Sequence, residues 1–263
     1  NHDNAAELVA LGLHALQHRG QDSTGIVTTD KVNFFAHRGM GQVSEIFSDK
    51  KIFEHLKGNI SLGHNRYGTT GESALKNVQP LFSELNIGGV AIAHNGNLTN
   101  TNMLKEEFIK DGAIFQSTSD TEVILHLISR SKGNLLERLI YSLQSVKGAY
   151  SLLLMTNDSL IAVRDPVGIH PLVIGKLNDS YIFSSESCGL DIIGAELVRD
   201  VEPGEIVIVK NNLLKSIKPF NRSHLRPCLF EYIYFARPDS ILDGRNVYDV
   251  RKKIGYQLAV ENS

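Results

Sequence analysis

The sequence has no tryptophan, three methionines and two cysteines in 263 residues. Two cysteines, Cys188 and Cys228, are too few for a disulfide framework. That excludes the small stapled scaffolds and favours a reducing, cytoplasmic setting. No apolar run approaches the roughly 20 residues that cross a bilayer, and the opening residues lack a basic-then-apolar leader, so no membrane partner is expected. There is no block of Lys or Arg, and the formal net charge is -2 with a sequence pI of about 6.6, which argues against nucleic acid as the main partner. What remains is an ordinary globular composition, 42% hydrophobic, long enough for one large domain or one domain and part of another.

AAELVALGLHALQHRG carries apolar residues at helical spacing, with Gly20 placed as a C-terminal cap. GIVTTD and VNFFAHRG read as a hairpin turning at Asp30-Lys31, FSDKKIFEHLKG as a short helix, and NISLGHNRYGTTG as a strand entering a Gly/Thr-rich loop. GGVAIA is a strand that is expected to stop at His94-Asn95-Gly96-Asn97, followed by a helix through LKEEFIKDG. Ser119 and Glu122 stand in capping-box spacing, which predicts Ser119 as an N-cap with Asp120 in the first turn. NLLERLIYSLQSV is a further helix. From Gly148 the pattern turns to short strands, with Asn157-Asp158, Asn178-Asp179 and Asn211-Asn212 supplying turns. Strands in both halves with helices between them predict an α+β fold with two helix-covered sheets, and argue against an alternating dinucleotide-binding fold. The polar stretch from Asn221 to Pro227 marks a boundary, giving domains 1–224 and 225–263.

Four stretches depart from what packing asks for: HRGQDS, GHNRYGTTG, AHNGNL and STSDTE. Asn-Gly is the commonest two-residue hairpin signal, yet a helix follows it here. Arg66 at a strand end can grip a carboxylate with two parallel bonds, or form a surface ion pair. Asp120 in a first turn suits an ammonium partner or simple capping. His14 and His18 share i, i+4 spacing but lack an acidic third ligand, so they read as core or surface histidines. Gly39-Met40-Gly41 lacks the third glycine of a nucleotide loop.

In order and spacing, these four stretches resemble the glutamine-hydrolysing domain of the N-terminal-nucleophile (class II) amidotransferases. HRGQDS, NVQPL and EYIYFARPDS (Glu231 to Ser240) resemble the amidophosphoribosyltransferase family in particular. The resemblance covers essentially the whole chain. It implies a four-layer αββα sandwich, followed by the start of a phosphoribosyltransferase domain. It also implies an oxyanion hole made by the Asn95 side-chain amide and the Gly96 N–H, and a glutamine pocket lined by Arg66, Thr69 and Asp120. Tyr67 would sit where that pocket communicates with the second domain, while Arg19 and Asp22 would brace the site. Expected partners are glutamine, phosphoribosyl pyrophosphate through the second domain, and further copies of the chain. No cofactor is implied for this domain; Mg2+ is expected with phosphoribosyl pyrophosphate in the other. Cys228 matches an iron–sulfur ligand position in one branch of the family, although one cysteine makes no cluster.

Members of the family use an N-terminal cysteine as nucleophile and its α-amino group as base. That cysteine should open a strand of roughly seven residues, one short strand's worth, just before Asn1. The chain from Asn1 is therefore expected to be inactive. The alternative is a catalytically dead glutamine-binding or assembly remnant. One departure stands out: where the family reads Asp-Pro-x-Gly-x-Arg-Pro-Leu, this chain has His170 in place of arginine within Asp165–Leu172, which is expected to loosen a salt bridge.

Overall fold

In the computed structural model, residues 2–68, 72–220 and 224–262 are described. The strands are β1 (Ser23–Thr29), β2 (Phe34–Met40), β3 (Ile60–Arg66), β4 (Leu81–Leu85), β5 (Gly88–Leu98), β6 (Gly148–Met155), β7 (Ser159–Arg164), β8 (Val173–Leu177), β9 (Ser180–Ser184), β10 (Glu196–Asp200), β11 (Ile206–Lys210), β12 (Leu213–Ile217) and the short pair β13 (Ile241–Leu242) and β14 (Arg245–Asn246). The helices are α1 (Ala5–Ala15), α2 (Val43–Ile46), α3 (Lys51–His55), α4 (Thr101–Lys110), α5 (Thr121–Arg130), α6 (Leu135–Ser145), α7 (Cys188–Asp191) and α8 (Val247–Glu261). None of them is long and apolar enough to cross a membrane.

A six-stranded antiparallel sheet in the order β12-β11-β7-β6-β5-β4 faces two three-stranded sheets, β2-β1-β3 and β10-β8-β9. Burial alternates strand by strand to make the layers. Ile92, Leu152, Leu154 and Val163 point to one side of the large sheet and pack under the apolar faces of α4, α5 and α6. Ala91, Ala93 and Met155 point to the other side, against Val27, Ile60 and Leu62 of the first small sheet. Ala162 and Val207 meet Leu172 and Ile174 of the second. Ala6, Ala10 and Leu13 of α1 then cover Ile26, and Leu190 of α7 covers Val173. Helix, sheet, sheet, helix is the four-layer arrangement expected.

Three local expectations change. β5 does not stop at His94: it runs on to Leu98, and its Asn-Gly pairs with β6, Asn95 opposite Ser151 and Gly96 opposite Tyr150. The partner strand lies some fifty residues later in sequence, so no local turn rule could foresee it. Gly20 is not a left-handed helix cap. It follows a 3-10 turn (Gln17–Arg19) with extended φ, and a β-carbon there would meet the Arg66 carbonyl carbon at 2.4 Å. Ser119 does not cap α5 through a capping box. Glu122 instead accepts from the N–H groups of Gln116 and Ser117, at 2.8 and 2.7 Å, and stabilises the preceding loop. The structure also contains β4 and β10, whose short, half-exposed segments gave no clear alternation in the sequence.

Candidate active site

The edge of β5 builds the site. β4 pairs with β5 only as far as Ile92, leaving the rest of that edge open. Along it, side chains take alternate N–H groups: His94 N–H donates to Gln79 Oε1 (2.7 Å) and Leu98 N–H to Asp120 Oδ2 (3.0 Å). Gly96 lies midway, and the two-residue period turns its N–H to the same edge. Tyr150, opposite Gly96, directs its own N–H and C=O to Asp165 instead. Glycine is required at 96, where φ is +154° and a β-carbon would meet Ala149 O at 2.1 Å and His94 Nε2 at 2.7 Å.

Ala91 and Ala93 face the space between the sheets, so alternation turns Asn95 the same way. Its Nδ2 is buried and has no hydrogen-bond partner among the described residues. A buried donor left unsatisfied costs about 1–3 kcal/mol, so it stands out as a group kept ready for a ligand. His94 faces the helical side, with Nδ1 3.3 Å from Thr121 Oγ1 and 3.6 Å from Asp120 Oδ1. Burial alone would raise the Asp120 carboxyl. Contact with His94 and the Leu98 N–H outweighs it and holds the group below the usual carboxylate range.

Arg66 ends β3 and is buried; its guanidinium is paired with Asp22, which also accepts from the Ser73 hydroxyl. Arg66, Asn95, Gly96, Asp120 and the exposed Tyr67 all line one cavity of about 460 Å³. Thr69 lies outside the described residues. The predicted residues that are described thus converge on one space, with a donor pair at one wall, a cation at another and an anion at the edge.

The cavity continues as a corridor between β3 and β9, each the last strand of its small sheet. Val9, Leu13 and Leu16 roof it and Leu153, Leu160 and Val209 floor it. Asn59 Oδ1 and Ser61 Oγ, on the β3 side, are buried and have no partner among the described residues. At the start of β3, His2 N–H donates to Asn59 O (2.9 Å).

Sequence reasoning missed the residues that hold this frame. Gln79 bonds both His94 N–H and Thr121 Oγ1 (3.2 Å). Asn77 ties Glu72 O to Thr118 through its amide, 2.7 Å to each. Both lie in NVQPL, whose likeness to the family says nothing of these contacts. Arg19, by contrast, was expected to brace the site; it is a buried junction that pairs with Glu186 and, at 2.7 Å, with Glu231. Glu186 also accepts from His18 (2.6 Å), Ser240 (2.6 Å) and the Arg237 N–H (2.9 Å). His170, the departure from the family pattern, keeps a contact with Glu231 at 3.4 Å. Among the described residues no group of three or more His, Cys, Asp or Glu is placed to hold a metal. Cys228 is half-buried, and burial lifts the thiol of the other cysteine, Cys188, to about 11, as in an inert core thiol.

The fold and the site define a glutamine amidotransferase domain, and a family model of that description matches residues 64–191. The amidophosphoribosyltransferase of Rhizobium etli is 54% identical over 267 residues, covering 99% of this chain and 54% of the relative. That of Bacillus subtilis is 44% identical, covering 100% and 55%. A solved structure of the glutamine phosphoribosylpyrophosphate amidotransferase from B. subtilis, complexed with ADP and GMP, has a TM-score of 0.94 at 44% identity, covering 99% of this chain and 57% of that one. Another, described as the allosteric regulatory enzyme of purine biosynthesis, has a TM-score of 0.96 at 44% identity, covering 99% and 56%. Along essentially its whole length the chain is similar to amidophosphoribosyltransferases, and it spans about half the length of the curated relatives it matches.

Proposed function

We propose that this chain is the glutamine-hydrolysing part of an amidophosphoribosyltransferase, which supplies ammonia to phosphoribosyl pyrophosphate to form 5-phosphoribosylamine in purine biosynthesis. The observation that carries the reading is Asn95 Nδ2, without a partner among the described residues, beside the Gly96 N–H in a cavity that also presents Arg66 and Asp120. Arg66 takes the substrate's α-carboxylate and Asp120 its α-ammonium, with Thr69 on the adjoining loop. A thiolate attacks the side-chain carbonyl carbon, and the oxygen that becomes negative is met by the two N–H groups. Collapse expels ammonia and leaves a glutamyl thioester, which water hydrolyses to glutamate with return of the thiol. Preorganised donors of this kind are worth about a hundred- to thousand-fold each.

The nucleophile in this reading enters through the corridor. An extended segment running antiparallel to β3 and arriving at His2 gains a partner on both β3 and β9. At about 3.3 Å per residue, roughly seven residues span the length of β3, which sets its first residue, a cysteine, beside Arg66. The chain from Asn1 alone is then inactive. Residues from 225 onward open the phosphoribosyltransferase domain, where Mg2+ accompanies the pyrophosphate. The assembly is a cytoplasmic homo-oligomer. A dead remnant is the weaker reading, because it has no use for an unsatisfied donor at Asn95.

The test is glutamate release from glutamine by the protein made with the residues encoded upstream of Asn1. Turnover is expected, and replacing the terminal cysteine by alanine should abolish it. Equal turnover by the chain from Asn1 to Ser263 would overturn the assignment.

A further inference from the structure

Near Asn95 the cavity holds a further atom without a partner among the described residues. His64 Nε2 lies 3.0 Å from the carbonyl oxygen of His94. A carbonyl only accepts, so Nε2 carries the hydrogen and Nδ1 is the bare acceptor of a neutral ring. The residue as a whole is partly exposed, but Nδ1 is buried and has no partner among the described residues. Burial, the largest influence on the ring, pulls it down to about 4, so the lone pair stays available at neutral pH.

The direction of the side chain follows from its strand. Ile60 and Leu62 point into the space between the sheets, and alternation turns His64 the same way, towards the space that Asn95 enters from β5. Both residues line the cavity. One wall therefore offers a donor without an acceptor, Asn95 Nδ2, and the facing wall an acceptor without a donor, His64 Nδ1.

A primary carboxamide complements that pair, since its oxygen accepts and its NH2 donates. A carboxylate has only acceptors, and would set an oxygen against the His64 lone pair. We propose that His64 is a specificity-determining residue that accepts a hydrogen bond from the amide nitrogen of glutamine and discriminates against glutamate. The inference rests on the glutamine reading above. Sites that hydrogen-bond a substrate N–H reject analogues lacking it far better than apolar pockets reject a missing methylene, because the site's own polar group is then left unpaired.

The test uses two variants of the full-length protein with its nucleophile in place. His64→Gln keeps a donor near the Nε2 position and removes the acceptor at Nδ1. His64→Asn sets an amide oxygen near Nδ1 and gives up the donor to His94. The readouts are kcat/KM for glutamine and the inhibition constant of glutamate. In His64→Gln, kcat/KM for glutamine should fall about tenfold or more while glutamate inhibits as well as before or better. In His64→Asn the ratio of the two should stay within about threefold of the wild type, and it decides the matter if His64→Gln does not fold. Parallel weakening of both ligands in His64→Gln, or a lost ratio in His64→Asn, would overturn the proposal. Failure of the glutamine reading itself is distinguishable, because the wild-type protein would then release no glutamate.

Discussion

Replacing Asn95 by alanine separates the catalytic from the structural role of its amide. Its Nδ2 has no partner among the described residues, so truncation breaks no hydrogen bond of that atom. Removing an unsatisfied buried donor returns up to about 1–3 kcal/mol, set against the lost packing of a partly exposed side chain. The net change in stability should fall within about 1 kcal/mol of zero, a shift of about 3 °C or less in Tm for a chain of this size. Turnover should respond quite differently. The amide meets charge that exists only in the transition state, so kcat should fall about a hundred- to thousand-fold while KM for glutamine changes little. Thermal unfolding and glutamate release, measured on the same full-length preparation, give both quantities. A stability loss above about 2 kcal/mol, or a kcat within about fivefold of wild type, would refute the reasoning.

Gly96→Ala should behave in the opposite way. Its β-carbon at 2.1 Å from Ala149 O forces β5 and β6 apart, with a stability loss of about 2–5 kcal/mol from overpacking and backbone strain together, read as a lowered denaturant midpoint. Glu186 gives a pH prediction: burial would raise its carboxyl, but His18, Arg19 and Ser240 bring it down to about 2 from 4.5. Because the folded value is depressed, the stabilisation, on the order of 3 kcal/mol, is present above about pH 4.5 and disappears as pH falls towards 2. Urea midpoints across that window should fall in the wild type, and Glu186→Gln should lack that part of the slope.

Much of the architecture was legible because it is written in periodicity. The 3.6-residue pattern of α6, the hairpin of β1 and β2, and the Asn turns at 178 and 211, with φ of +51° at each, are all local decisions. The end of β5 departs from the local expectation because its Asn-Gly is held extended by β6, a partner remote in sequence. The site divides along the same line. Asn95, Gly96, Arg66 and Asp120 sit in words whose chemistry is visible residue by residue. Gln79, Asn77 and Glu186 act only through what they touch. Nothing around Gln79 announces that its carbonyl will take the N–H two residues before Gly96 and so help leave that glycine's N–H turned to an open edge.

Arg19 carries the same lesson to the two ends of the chain. HRGQDS and EYIYFARPDS share no pattern, yet Arg19 from one and Glu231 from the other are buried against each other, with Glu186 completing the group. Two carboxylates and one guanidinium carry a net negative charge. His18 and His170 stand at its two sides, at 2.6 and 3.4 Å. Removing one member of such a cluster leaves another buried and unpaired, at a cost of about 3–5 kcal/mol. Three residues after Arg19, Asp22 holds Arg66. The segment from Cys228 to Ser240 is therefore fastened to the same short loop that sets the cation in the cavity. Displacing that segment would have to break the Arg19–Glu231 pair before it could leave the site undisturbed.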